Sequence, residues 1–133
     1  MTPVEYLEAR GVPESVWPNF RGWVRWFEER GLMGVVTRRY DGEIVGVALA
    51  RCLPSGAAPS HYWHEETGDD VFVDTCACGA SSDLGHFSGS KDYLKSLLTI
   101  LFDRFGRRRT INFNRGNQRK AYDYDTFMRK ALA

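Results

Sequence analysis

The chain has 133 residues, of which 43% are hydrophobic and 26% charged, and its formal net charge is +1. These values are typical of one globular domain, predicted here over residues 1–133, and they exclude collagen-like, disordered and disulfide-rich chains. No apolar run reaches the roughly 18 residues of a membrane span, and the N-terminus lacks a signal-peptide pattern. With three cysteines that cannot all pair within the chain, we expect a cytoplasmic protein.

The first third of the chain predicts two helices and a β-hairpin. Thr2 and Glu5 have the spacing of a capping box at the start of a first helix. The second helix follows Pro18, because apolar residues then recur on one helical face (Phe20, Trp23, Val24 and Phe27). Asp41-Gly42 is a strong hairpin signal between two predicted strands at residues 33–40 and 43–53.

The remaining residues predict a strand, a long helix, a strand and a last helix. Residues 71–78 alternate as a strand, and a broad apolar stripe between residues 93 and 105 predicts a helix that Gly106 ends. Residues 109–114 alternate as a further strand, and Asn117 is a suitable cap for the last helix. The predicted fold is α/β (α+β), with element order α-α-β-β-β-α-β-α and a mixed, mostly antiparallel sheet flanked by helices.

From its second helix to its end, this order of elements resembles the GNAT superfamily of acyl-CoA-dependent N-acyltransferases. In that family the loop before the central helix reads Arg/Gln-x-x-Gly-x-Gly/Ala and holds the CoA pyrophosphate. The matching window here runs from His86 to Lys91, and its central glycine is Gly89. Free backbone N–H groups at a helix N-terminus bind anions, so the resemblance implies that Gly89, Ser90 and Lys91 hold the pyrophosphate of an acyl-CoA, such as acetyl-CoA.

The resemblance also implies residues for the rest of the reaction. Asn117 would orient the pantetheine arm, and Tyr124 would protonate the departing thiolate. The acceptor would be a small-molecule or protein amine. The terminal hairpin of full-length family members has no counterpart before residue 133, so the acceptor pocket is either reduced or completed by a second copy in a homodimer.

The third predicted strand supplies the candidate base. Asp74 interrupts an apolar strand, and burial there would raise the pKa of its carboxyl. Cys76 and Cys78 follow at two-residue spacing, so we expect them on the same face as Asp74, where they would line the cofactor site. The alternative role for Asp74 is structural, as the partner of an arginine from the C-terminal part of the chain.

Three other interpretations stay open. From residue 104 onwards, nine basic residues oppose two acidic ones, a net charge of +7, whereas residues 61–86 hold six acidic residues and no Lys or Arg. The basic end would suit a nucleic acid, or the two segments would neutralise each other. His61, His64, Cys76 and Cys78 have the donor chemistry of a structural zinc site, although their spacing is unlike that of zinc fingers. The same fold would also serve as a catalytically inactive interaction module.

Overall fold

The described part of the chain forms four α-helices and five β-strands. The structure is a computed structural model that describes residues 1–60, 62–79, 90–116 and 118–133, apart from the side chains of Ser90 and Arg115. The helices are α1 (Pro3–Arg10), α2 (Phe20–Glu29), α3 (Ser90–Phe105) and α4 (Tyr124–Ala131), with a 3-10 turn at Pro13–Val16. The strands are β1 (Met33–Thr37), β2 (Ile44–Leu53), β3 (Asp70–Cys78), β4 (Thr110–Arg115) and β5 (Gln118–Asp123).

The five strands form one sheet in the order β1-β2-β3-β4-β5. All neighbours are antiparallel except β3 and β4, which are parallel because α3 connects them. The predicted α+β class and the mixed, mostly antiparallel sheet are confirmed. The Asp41-Gly42 hairpin is also present, with Gly42 at a φ of 71°, a left-handed conformation that glycine adopts readily.

The helices cover both faces of the sheet. On one face, the guanidinium of Arg51 in β2 lies 5.5 Å from the ring of Phe27 in α2. On the other face, a Cβ built on Gly46, five residues earlier in the same strand, would come within 3.0 Å of Leu97 in α3. Residues an odd number of positions apart point to opposite sides of a strand, so α2 and α3 lie on opposite faces. Among the described residues, no helix has the length and apolar content that crossing a membrane requires.

The last helix starts later than predicted. Residues 118–123 form an exposed edge strand, β5, and α4 begins only at Tyr124. Its cap is Asp123, whose carboxylate accepts a hydrogen bond from the Thr126 N–H at 3.0 Å. The prediction that Asn117 caps this helix is therefore wrong, and Asn117 itself lies outside the described residues.

Candidate functional site

The sheet opens between its two parallel strands. β3 and β4 pair over four residues, and the last pair is Val73 with Phe113. Beyond that point, residues 74–78 continue β3, and among the described residues they pair only with β2. Among the described residues, the outer backbone edge of β3 therefore has no strand partner where the two strands separate. An edge of five residues is about 16 Å long.

This opening leads into a cleft of about 300 Å³. We call it the β3–β4 cleft. Four leucines of α3 form its apolar wall, and Leu94 at the start of that helix is 39% exposed. Its lining is Val73, Asp74, Thr75 and Cys76 of β3, Phe113 and Asn114 of β4, Phe127 of α4, and Leu94, Leu97, Leu98 and Leu101 of α3. A mostly apolar cleft with a few polar groups is the usual form of a small-molecule site.

Asp74 occupies a β-bulge at the mouth of the cleft. Leu49 of β2 pairs with Thr75 and Ala50 pairs with Val73, so Asp74 is the extra residue of β3. A bulge re-aims the side chain at that position and breaks the two-residue alternation of a strand. As a result, Cys76 lies opposite Ala48 on the α3 face, whereas Asp74 turns to Arg51 on the α2 face. The prediction that Asp74 shares a face with the two cysteines is wrong for this reason.

Asp74 and Arg51 form a buried, bidentate ion pair. Nε of Arg51 donates to one carboxylate oxygen at 2.9 Å, and Nη2 donates to the other at 2.6 Å. The side chains are only 4% (Arg51) and 9% (Asp74) exposed. Burial raises the pKa of the Asp74 carboxyl, and the hydrogen bonds and charge of Arg51 oppose that rise. The alternative structural role of Asp74 is thus present, but its partner comes from β2 and not from the C-terminal part of the chain.

A second, smaller pocket lies on the α2 side of the same opening. It measures about 220 Å³, and we call it the Trp17 pocket. Aromatic side chains and the Arg51–Asp74 pair form most of its lining (Trp17, Trp23, Arg51, Pro59, Ser60, Phe72, Asp74 and Asn114). Asp74 and Asn114 line both the Trp17 pocket and the β3–β4 cleft. The two cavities therefore approach each other from opposite faces of the sheet where β3 and β4 part.

Cys78, at the end of β3, lies next to Arg10 of α1. Nη2 of Arg10 donates to the Cys78 carbonyl at 2.7 Å. A hydrogen bond from the Cys76 thiol lowers the pKa of Cys78, and the charge of Arg10 acts in the same direction. The same interaction raises the pKa of Cys76. Cys76 is in the lining of the β3–β4 cleft, whereas Cys78 is not.

The other predicted site residues are not all brought together. Tyr124 is fully buried, it stacks on Phe102, and it is not part of the cleft lining. Burial raises its pKa to about 12, so Tyr124 is poorly placed and poorly suited to donate a proton in the cleft. Ser90 and Lys91 are the first two residues of α3, and Lys91 is exposed. Gly89 and Asn117 lie outside the described residues.

The acidic and basic segments neutralise each other over part of their length. Arg104 makes a bidentate ion pair with Glu66 at 2.8 and 2.9 Å, which lowers the pKa of Glu66 to about 2. Arg109 pairs with the buried Asp70 at 2.9 Å, and Arg108 donates to two carbonyls of the loop at residues 54–69. These arginines hold that loop against the sheet, which leaves them poorly available to a nucleic-acid backbone.

His64 is engaged at both ring nitrogens. Its Nδ1 accepts a hydrogen bond from the Cys52 N–H at 3.0 Å, and its Nε2 lies 3.3 Å from Glu66. A metal ion would have to displace one of these contacts. Within the described residues, no three metal-ligating side chains cluster, and His61 lies outside that part of the chain.

The residue of the candidate site that sequence reasoning missed is Arg51, the buried partner of Asp74. A signal was present, because Arg51 is the one charged residue in the otherwise apolar run of residues 44–53. A charge at the centre of a buried strand requires a partner, and Asp74 in the next strand is a carboxylate in the same situation. Comparison of the chain with models of known protein families, with curated proteins and with solved structures found no match.

Proposed function

We propose that this protein transfers an acyl group from acyl-CoA to an amine, with the β3–β4 cleft as the acyl-CoA site. The observation that carries this proposal is the separation of two parallel strands after Val73 and Phe113. Among the residues that the structure describes, it leaves a strand edge without a strand partner beside an apolar wall. The GNAT resemblance of the sequence points to the same place, since it puts the central helix directly after the strand that opens.

The cleft fits the chemistry of the CoA arm. The pantetheine arm alternates amide groups with short hydrocarbon segments, so it needs both hydrogen-bonding groups and apolar surface. The edge of β3 after Val73 offers backbone N–H and C=O groups that no described strand pairs, apart from the Cys78 carbonyl, which Arg10 occupies. The leucines of α3 offer the apolar surface. At the N-terminus of α3, Ser90 and the exposed Lys91 are suited to hold the pyrophosphate.

Asp74 is the residue that we assign to proton transfer. An acceptor arrives as an ammonium ion, and one proton must leave before nitrogen can act as a nucleophile. Asp74 accepts that proton, because it is a lining residue of both cavities. Bound acyl-CoA supplies a thioester whose carbon–sulfur bond breaks as the carbon–nitrogen bond forms, the electron pair and the second nitrogen proton ending on sulfur. A thiol of pKa about 8.5 is a good leaving group, so no tyrosine donor is required, and Tyr124 takes no part.

A binding experiment tests the proposal. Acetyl-CoA is titrated calorimetrically into the wild-type protein and into two variants, Leu94→Trp and Leu132→Trp. Both leucines are similarly exposed, at 39% and 36%, but only Leu94 lines the cleft. We expect Leu94→Trp to weaken binding about tenfold or more by filling the mouth of the cleft, while Leu132→Trp binds like wild type.

Two results would overturn the acyl-CoA assignment. The first is no heat with wild-type protein at acetyl-CoA concentrations up to about 1 mM. The second is equal binding by wild-type protein and Leu94→Trp, which would place the ligand elsewhere. The first result would favour the interaction module without enzymatic activity, and the second would move the acyl-CoA site out of the β3–β4 cleft.

A further inference from the structure

The two cysteines of β3 lie side by side on one face of the sheet. They follow the bulge, in a regular part of the strand, opposite Ala48 and Gly46 of β2. Both side chains therefore project towards the α3 face. The thiol of Cys76 is in hydrogen-bond contact with that of Cys78. Because Cys76 is exposed and lines the β3–β4 cleft, a ligand can reach this pair of thiols from the cleft.

The geometry of the strand suits a bridging atom better than a disulfide. Two positions along a strand place Cβ atoms about 6.6 Å apart, whereas the Cβ atoms of a disulfide are about 3.8 Å apart. A disulfide between Cys76 and Cys78 would therefore require β3 to leave its register with β2. Two metal–sulfur bonds of roughly 2.3 Å each, in line, hold their sulfurs about 4.6 Å apart. Sulfurs that lean towards each other from the strand reach that separation without moving the backbone.

The number of donors restricts which metal ion the pair can hold. The described ranges contain no cluster of three or more metal-ligating side chains. Cys52 lies four residues beyond Ala48 along β2, about 13 Å away, and Asp74 is bound to Arg51 on the opposite face. Zinc in proteins normally takes four ligands. Cu(I) is a soft ion that prefers thiolates and is satisfied by two of them in line.

The surroundings of the pair also suit Cu(I). Two thiolates and one Cu(I) carry a single negative charge, and the guanidinium of Arg10 is a neighbouring positive charge, held at 2.7 Å from the Cys78 carbonyl. Leu94 and Leu97 share the cleft lining with Cys76. An apolar environment limits access of water to a metal site, which favours a soft, weakly hydrated ion over a hydrated divalent one.

We propose that Cys76 and Cys78 form a two-coordinate site for Cu(I). The ion enters at the exposed thiol of Cys76, and each thiol releases its proton as its sulfur binds the metal. Neither copper nor sulfur changes oxidation state in this step. The site does not depend on the proposed acyl transfer, because it needs only the two thiols and the register of β3 with β2.

A competition experiment tests this site. The reduced protein is titrated under anaerobic conditions into the coloured Cu(I) complex of bicinchoninate, and the loss of colour reports transfer of copper to the protein. We expect one Cu(I) per monomeric chain, and at least about a hundredfold weaker binding of Zn(II) in a parallel competition with a zinc indicator. Cys76→Ser and Cys78→Ser should each weaken Cu(I) binding about a hundredfold or more. Cys52→Ala removes the buried third thiol, so it is the matched control and should bind like wild type.

Four results would overturn the assignment. They are no transfer of Cu(I) to the wild-type protein, Zn(II) binding as tight as Cu(I) binding, unchanged Cu(I) affinity in either serine variant, and one copper ion shared between two chains. Sedimentation of the loaded protein detects the shared ion. Far-ultraviolet circular dichroism shows whether each variant is folded. If one serine variant unfolds, the other decides the result, since each lacks one of the two ligands.

Discussion

Replacing Arg51 with Met should destabilise the folded protein strongly. The substitution leaves Asp74 buried with no counter-charge and removes the donors to two loop carbonyls. Breaking a buried ion pair from one side costs about 3–5 kcal/mol in free energy of unfolding. For a chain of this size, that corresponds to a fall of roughly 10–20 °C in Tm.

The pH dependence of the Arg51→Met variant provides a second readout. Burial already raises the pKa of Asp74 in the wild-type protein, and loss of Arg51 should raise it further. A carboxyl whose folded-state pKa lies above its unfolded value stabilises the fold when protonated, so the variant should gain stability as the pH falls from 7 towards about 4. Urea denaturation followed by tryptophan fluorescence at several pH values measures this effect.

Two companion variants make the reasoning refutable. Arg21→Met breaks an exposed ion pair, in which the side chain of Arg21 is 61% exposed and that of Glu8 is 36% exposed. It should leave the urea unfolding midpoint nearly unchanged. Arg51→Met combined with Asp74→Asn removes both charges and should recover about 1–3 kcal/mol relative to Arg51→Met alone. A loss below about 1 kcal/mol in Arg51→Met, or simple additivity in the double variant, would show that the pair is not desolvated as described.

Four further substitutions, one of them a control, test particular features of the fold and site. Thr75→Val removes a buried hydroxyl that has no hydrogen-bond partner among the described residues, so the free energy of unfolding, measured with urea, should stay level or rise by up to about 1 kcal/mol. Tyr124→Phe removes another buried hydroxyl that has no hydrogen-bond partner among the described residues. It should leave the free energy of unfolding nearly unchanged and the acyl-transfer rate within about twofold of wild type. A hundredfold slower rate would instead assign the acid role to Tyr124. Gly68→Ala would place a Cβ 2.6 Å from the Leu53 backbone and should lower Tm by more than about 8 °C, whereas Gly42→Ala, with open space around it, should cost about 1 kcal/mol.

The elements that local chemistry specifies were predictable from the sequence. The first helix begins as expected, because the Thr2 hydroxyl caps the Glu5 N–H and the Glu5 side chain caps the Thr2 N–H. The hairpin at Asp41-Gly42 follows from the turn geometry that glycine permits. These signals are contained in a few neighbouring residues, so no tertiary contact is needed to read them.

β5 escaped prediction because an edge strand need not show a buried face. All six of its residues are exposed, and they carry no apolar alternation. The apolar spacing of Tyr124 and Met128 behind it does indicate a helix, but it does not fix where that helix begins.

The geometry of the candidate site depends on contacts between distant segments. Asp74 was predictable as an unusual carboxylate in an apolar strand, but its pairing with Arg51 requires knowledge of the register between β2 and β3. The bulge at Asp74 inserts one residue into that register, and the two-residue alternation that the sequence suggests fails at that point. The separation of β3 from β4 is likewise a property of the sheet as a whole.

Amide hydrogen exchange on β3 tests the central claim most directly. If the β3–β4 cleft holds acyl-CoA along the outer edge of β3, saturating CoA should slow exchange of alternate amides in residues 74–78, since those N–H groups gain hydrogen-bond partners. Amides of β1, at the far edge of the sheet, should exchange as before. Unchanged exchange in residues 74–78 at saturating CoA, or protection confined to other elements, would contradict the account.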